Sequence, residues 1–448
     1  MSVPSPARRS ILSTICAFAL LLAMLLGAFP GAYAQSTTPV GSPVSMEPTG
    51  PSPPAWLEFG PDGRLIARVI VSGACPPLLI DGLKATMAPR TAPSDAFPVV
   101  ACEATVPFGI DEAAIAGQPL PIPDAPYARI AVIGDTGCRL DAWEGGSAYQ
   151  ACNDPTAWPF SQVAASVAAW RPDLVIHVGD YLYREDPCPA SDLGCAGSPH
   201  GDNWETWNAD FFTPASSLLG AAPWVFMRGN HEMCGRNPEG WFAYLDTRAF
   251  QSTCQQFTEP YVATLNGLSL AVIDSAEAGD EVTTPEENAQ YARQFDLLAR
   301  LAPAGSWLVT HRPVHGILES SRGEFEVENA SYQAATGGTI PGDYALVLSG
   351  HIHLAESIAF EPSSDRPLQL ISGNSGTALD DIPTASPSAG QLGDPTVAEA
   401  ETLSAFGFMT LEPDGANWIA TRRDATGTPL QACVLDLPEM ACSPAQAD

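Results

Sequence analysis

From residue 128 onward, short apolar runs alternate with longer amphipathic stretches. Residues 128–133, 174–178, 224–227, 307–309, 345–348 and 368–371 are apolar at nearly every position and read as strands. Helical stretches fall between them. Ser161 is placed to cap a helix through Trp170, residues 204–219 look helical, and Pro285 opens a helix that runs to Leu301. Residues 261–265 and 268–273 read as a hairpin turning at Asn266-Gly267. The pattern from about 127 to 412 is therefore α/β. Residues 56–126 hold short β-like runs broken by prolines and read as a small β-rich N-terminal region. Residues 35–55 are rich in Pro, Ser and Thr and read as a flexible linker. Asp414-Gly415 marks a late turn, so 413–448 is expected to be a C-terminal β-hairpin or tail.

Five of the strands stop at blocks rich in metal-binding side chains. These are Gly134-Asp135-Thr136-Gly137, Gly179-Asp180-Tyr181-Leu182-Tyr183, Gly229-Asn230-His231-Glu232, Leu308-Val309-Thr310-His311 and Gly350-His351-Ile352-His353. In open α/β sheets, ligands gather at the carboxyl ends of strands, so the five ends converge on one edge. The donors are hard oxygens and imidazoles, enough for two metal ions side by side. Such a pair is a device for attacking phosphorus with a metal-bound hydroxide.

The order of the blocks over roughly 127–376 resembles the purple acid phosphatases within the calcineurin-like metallophosphoesterases. The wider superfamily has Asp-x-His in the first block, whereas this chain has Gly137 at the third position. The second block offers Tyr183, three residues after Asp180. The purple acid phosphatases show both features together. The resemblance implies a four-layer α/β/β/α sandwich. It also implies that Asp135, Asp180, Tyr183 and His353 bind Fe(III), that Asp180 bridges, and that Asn230, His311 and His351 complete a second site for a divalent ion (Fe, Zn or Mn). Phenolate is a hard anionic donor and suits Fe(III), an independent reason for the role of Tyr183. The competing role for Tyr183 is structural, with its hydroxyl bonded to a neighbouring carboxylate. His231 would protonate the leaving alkoxide. Arg312 and His315 follow His311 in an expected loop and are candidates to touch the phosphate. A salt bridge is the alternative for Arg312. His177 reads as a core histidine, His200 as a surface residue, Glu232 as a partner of the site and Asp274 as structural.

The N-terminus changes the setting. Arg8 and Arg9, the apolar residues 11–28, the breakers Pro30 and Gly31, and Ala32-Tyr33-Ala34 together read as a signal peptide over 1–34. An uncleaved anchor is the alternative. Arg8-Arg9-Ser10-Ile11-Leu12 also loosely resembles a twin-arginine signal. The formal charge of the chain is −31, and Arg8 and Arg9 are the only charged side chains in 1–34. Such acidity argues against nucleic-acid binding and against anionic membranes, and no stable anchor is expected after cleavage. It also demands local cations for any phosphate substrate. Of the eleven cysteines, Cys16 leaves with the signal and an even number remains, which in an exported chain reads as disulfides. Pairing neighbours in order is the simplest expectation: 75–102, 138–152, 188–195, 234–254 and 433–442.

The leading expectation is an exported, periplasmic or extracellular di-metal phosphoesterase acting on small phosphate monoesters. A phosphodiesterase or nucleotide hydrolase on the same fold is the alternative. A secreted binding protein with a degenerate enzyme core is the reading from another class. The filled ligand positions speak against it.

Overall fold

Residues 52–123, 126–142, 148–319, 325–381 and 396–445 are described in the computed structural model. They belong to one compact unit, Pro51–Asp448. The expected signal peptide, and all of the expected linker up to residue 51, lie outside the described residues.

Two sheets stack face to face. The first has eleven strands, and its centre is a parallel set: Ile130–Ile133, Leu174–His177, Trp224–Phe226 and Ala55–Phe59. The second has seven, with Leu268–Val272, Ser306–Val309, Tyr344–Ser349 and Leu368–Ser372 parallel at its centre. Successive strand side chains point to opposite faces, and each face here meets apolar neighbours. Ile130, Val132, Leu174 and Ile176 pack inward against Leu270, Val272, Val309, Leu346 and Leu348 of the other sheet. Ala131, Ile133 and Val175 point outward to the helix Phe160–Trp170 and to Phe211 and Leu218. Ala271, Leu308 and Val347 face the helix Pro285–Leu301 through Tyr291, Phe295 and Leu298. The result is the four-layer α/β/β/α sandwich. It explains the near-continuous apolar runs, because strands covered on both faces cannot alternate with polar residues.

Pairing with distant segments widens the first sheet on both sides. Ala55–Phe59, Leu65–Val71, Val100–Val106 and Ala88–Pro89 extend one side. Gly407–Asp414 runs antiparallel to Ile130–Ile133 and starts a meander through Asn417–Asp424, Pro429–Asp436 and Glu439–Pro444 on the other. Two helix expectations need correction. The first helix starts at Phe160 after Pro159, which makes no side-chain cap, so Ser161 lies inside it. Residues 204–219 form no continuous helix. The α-turn Trp204–Trp207 leads into a π-turn, Asn208–Phe212, and then, beyond Pro214, Ser216–Leu219. Pro214 has no N–H to continue the ladder. By contrast Pro285 occupies the first turn of the long helix, as expected, and the structure adds Thr284, whose side chain accepts from Glu287 N.

Cysteines 75–102, 138–152, 188–195, 234–254 and 433–442 are joined. Cys433 and Cys442 face each other across the last hairpin. Native protein treated with an alkylating reagent without reductant should show none of these cysteines modified by mass spectrometry. Alkylation at most of them would remove the disulfide framework.

Candidate metal centre

The carboxyl ends of Ile130–Ile133, Leu174–His177, Trp224–Phe226, Ser306–Val309 and Tyr344–Ser349 release Asp135, Asp180, Asn230, His311 and His351 in turn. The ladder bonds continue past the strands and tie the loops together. Asp135 N donates to Gly179 O (2.9 Å), Thr136 N to Asp180 O (3.0 Å) and Gly350 N to His311 O (2.9 Å). Asp135, Asp180 and His351 have φ of 56°, 61° and 72°, a left-handed backbone that side chains adopt at a cost. Strain at three candidate ligands in one cluster points to a function for their orientation.

The side chains fall into two groups that share Asp180. In the first, the Tyr183 hydroxyl is 2.7 Å from Asp180 Oδ2, 3.0 Å from Asp135 Oδ1 and 2.9 Å from His353 Nε2. His353 Nε2 is also 3.5 Å from Asp135 Oδ1. In the second, ligand atoms of Asp180, His311 and His351 all lie within 4.8 Å of one another. Here His311 Nε2 is 2.8 Å from Asn230 Oδ1 and 3.3 Å from Asp180 Oδ2. His311 Nδ1 donates to Val178 O at 2.8 Å, which would leave Nε2 as the nitrogen that faces a cation at this position.

This donor set fits two cations. Asp135, Asp180, Tyr183 and His311 are fully buried. Burial pushes the Asp180 carboxyl up, but His311 and His231 outweigh it and hold it well below the usual range. Burial, together with the charge of Asp180, drives Asp135 well above its ordinary value, although His311 opposes the rise. Burial and both carboxylates push the Tyr183 hydroxyl well above the usual phenol range. Two acids and a phenol held this close, out of water, need positive charge at their meeting point.

Glycines let the loops approach. A Cβ on Gly229 would lie 2.0 Å from Asp180 Oδ1. A Cβ on Gly137 would meet Tyr181 O and Tyr183 N at 2.7 Å and Asp210 Oδ2 at 2.9 Å. There is no room for any side chain at 137, so Gly137 and Tyr183 depend on each other sterically.

Buried carboxylates around the ligands fix the loops. Asp210, carried on the π-turn, accepts from Cys138 N, Tyr183 N, Arg184 N and Arg184 Nε. Glu232 accepts from Tyr181 N, Leu182 N and Gly229 N, so it supports the site as expected. Asp274 pairs with Arg228 at 3.2 Å and accepts from Thr258, a structural role. His177 is buried, stacks on Tyr181 at 4.0 Å and meets Thr136 Oγ1 at 3.1 Å, while His200 is exposed.

His231 borders the first group. Its ring centroid is 3.7 Å from that of Tyr183, its Nε2 is 3.8 Å from Asp180 Oδ2, and its Nδ1 is 3.0 Å from Glu185 Oε1. Glu185 is in turn held by Arg236 (2.7 Å) and Asn237 (2.9 Å). Arg312 forms an ion pair with Asp280, and its Nη1 is also 3.0 Å from His351 Nε2. His315 does not continue a loop after His311. It is buried at the start of the strand His315–Glu319, with its ring on Phe360 (5.0 Å). Sequence reading missed Glu185, Asp210 and Asp280. Position two past Tyr183 was the available signal for Glu185, and nothing local marked the others.

A phosphoesterase-type di-metal site at the strand ends of a four-layer sandwich defines the class. Residues 128–355, just over half the chain, match the calcineurin-like phosphoesterase family, and the chain belongs to that family. It is a hydrolase of phosphoric esters, and membership implies a dinuclear metal centre and a phosphorylated substrate. The solved structure of PhoD is similar at 11% identity, over 88% of this chain and 92% of that one, with a TM-score of 0.50. The purple acid phosphatase PPD1 from yellow lupin (Lupinus luteus) seeds is 12% identical over 84% of this chain and 72% of that one, with a TM-score of 0.49. At such identity the likeness to PhoD concerns the fold. No curated protein matches the chain.

Gly137→Ala should lower stability by about 1–3 kcal/mol, the usual cost of overpacking, and displace Tyr183. Thermal unfolding and metal analysis check this. An unchanged melting temperature with full metal content would refute the steric account.

Proposed function

We propose that the chain is an exported phosphomonoesterase of the purple acid phosphatase kind. One observation carries this reading: the Tyr183 hydroxyl sits at the hub of Asp135, Asp180 and His353, in a loop that excludes any side chain at position 137. Asp135, Asp180, Tyr183 and His353 would hold Fe(III), and Asp180, Asn230, His311 and His351 a divalent ion (Fe, Zn or Mn). When bound, the pair would supply Lewis acidity and an acidified water. Export is supported by the N-terminal signal pattern and by five disulfides, which fit an oxidising compartment. Among the described residues no helix is long and apolar enough to cross a membrane. The substrate is a small phosphorylated molecule, not a nucleic acid, because the acidic chain lacks the basic balance that nucleic acid requires. Metal analysis with turnover of an aryl phosphate against a bis-aryl phosphate tests the reading. Faster cleavage of the diester would favour the phosphodiesterase alternative.

His231 would act as the general acid. With Nδ1 turned to Glu185, Nε2 faces the site beside Asp180 and can give a proton to the leaving oxygen. Burial lowers its pKa, with Arg236 adding to that and Asp180 and Glu185 opposing. The proton-bearing form is therefore lost below the ordinary histidine range, so the activity should decline on the basic side of an acidic optimum. His231→Ala should retain the metals and slow turnover roughly 10²–10⁴-fold, most for poor leaving groups, and the basic limb of the pH profile should flatten. Equal slowing for all leaving groups would contradict the acid role.

Asp180→Ala should abolish activity and weaken binding at both metal positions, because Asp180 belongs to both groups. Binding measured separately for each metal decides this, and loss at one position alone would contradict the bridge. The active protein should also be coloured by phenolate-to-ferric charge transfer. Tyr183→Phe should bleach it and keep the fold. An active, iron-replete, oxidised sample without a visible band would reject the phenolate assignment.

A further inference from the structure

Among the described residues five arginines lie in or beside the loops that carry the candidate ligands, and four are tied to carboxylates. Arg184 pairs with Asp210 (2.5 Å), Arg228 with Asp274 (3.2 Å), Arg236 with Glu185 (2.7 Å) and Arg312 with Asp280. Arg139 is the exception. Among the described residues no carboxylate lies within 4.0 Å of its guanidinium. Its contacts are His353 Nδ1, 2.9 Å from Nη2, and the face of the Tyr183 ring, 5.7 Å from the guanidinium carbon. Its place is also fixed. Arg139 N donates to Gln150 Oε1 (3.0 Å), Gln150 N donates to Arg139 O (2.8 Å), and the neighbouring Cys138 is joined to Cys152.

The contact with His353 is itself provisional on chemical grounds. A guanidinium only donates hydrogen bonds, so it needs a lone pair on Nδ1. His353 Nε2 is the nitrogen that faces Tyr183 and Asp135. If Nε2 serves as a metal ligand, Nδ1 carries the proton, and two donors would face each other at 2.9 Å. Asp380 Oδ1, 3.7 Å from Nδ1, is the acceptor at hand for that proton. Arg139 would then lose its partner on His353 and keep only its seat over the Tyr183 ring, at the edge of the centre.

We propose that Arg139 grips the phosphoryl group of the substrate and favours monoesters over diesters. The proposal rests on the phosphoesterase reading of the same site. A planar guanidinium offers two parallel N–H donors to two oxygens of one phosphate. A monoester dianion carries one more negative charge and one more terminal oxygen than a diester, so with one oxygen held at the metal positions it would still offer two to the fork, where a diester would offer one. Arg312 cannot serve equally, because Asp280 already compensates its charge.

The test uses the metal-loaded protein and inorganic phosphate as the probe. Calorimetric titration should show that Arg139→Ala weakens phosphate binding roughly 10- to 100-fold, the loss expected for hydrogen bonds to a charged group, with metal content unchanged. Arg139→Lys should fall between, retaining charge without the fork. In parallel, kcat/KM for an aryl phosphate should fall more than for a bis-aryl phosphate. Unchanged phosphate affinity would overturn the proposal. Loss of metal from Arg139→Ala would also overturn it, because Arg139 would then be a positioning residue for His353. If the wild type turned over neither ester yet bound phosphate through Arg139, the esterase reading would fail and the anion grip would stand.

Discussion

Everything at the candidate centre follows from burying two carboxylates, Asp135 and Asp180, where the parallel strands end. Each has a relative exposure of 0%. An ionised carboxylate out of water is costly unless charge and hydrogen bonds replace its hydration. The backbone supplies part of that replacement. His231 N donates to Asp180 Oδ1 at 2.9 Å, and His351 N lies 3.1–3.2 Å from both oxygens of Asp135. These bonds need the loops to come very close, which Gly229 and Gly350 permit: a Cβ on Gly350 would lie 2.4 Å from Asp135 Oδ2. The remaining charge calls for cations, and the imidazoles and the phenol stand where such ions would be completed. Left-handed backbone at Asp135, Asp180 and His351 is the local cost of aiming the donors, and the ladder bonds beyond the strands hold it in place.

Surrounding acids carry this constraint outward. Asp210 and Glu232 accept backbone N–H groups from the loops that bear the ligands, and Asp274 holds Arg228 beneath the third block. The π-turn at Asn208–Phe212 has a purpose in this light. It interrupts the α-ladder just where Asp210 must reach four donors, and such π-turns are frequent at functional sites. Disulfides 138–152, 188–195 and 234–254 close the loops that follow the first three blocks. The rim is braced covalently while the ligands are aimed by hydrogen bonds.

The legible part of this protein was local. Runs covered on both faces gave the central strands, Asn266-Gly267 gave the hairpin, and Pro285 gave the start of the long helix. The ligand candidates were legible because each is anchored to a strand end, and strand ends in a parallel sheet are neighbours by topology. What stayed hidden depends on distant partners. Ala55–Phe59 beside Trp224–Phe226, and Gly407–Asp414 beside Ile130–Ile133, are pairings that no local pattern encodes. Glu185 is an ordinary acidic residue until His231 arrives from the third block, and Arg139 an ordinary arginine until His353 does. Ser161 misled because a good capping residue is not a cap when Pro159 has already started the turn.

The exchange at Gly137 and Tyr183 shows why the two departures from the wider superfamily pattern belong together. A histidine at 137 would project into space already taken by the backbone of residues 181–183 and by the Asp210 carboxylate. Asp210 holds that backbone in place by accepting Tyr183 N and Arg184 N, and its pairing with Arg184 secures it further. The same hold projects the Tyr183 ring back to the point where its hydroxyl meets Asp135, Asp180 and His353. Restoring a histidine at 137 would therefore expel the loop that carries the phenol. Removing the phenol alone would leave a gap that no residue at 137 could fill. A switch from phenol oxygen to imidazole nitrogen at this point would need positions 137, 183 and 210 to change together, so the nature of the donor is set by loop packing that lies outside the ligand group itself.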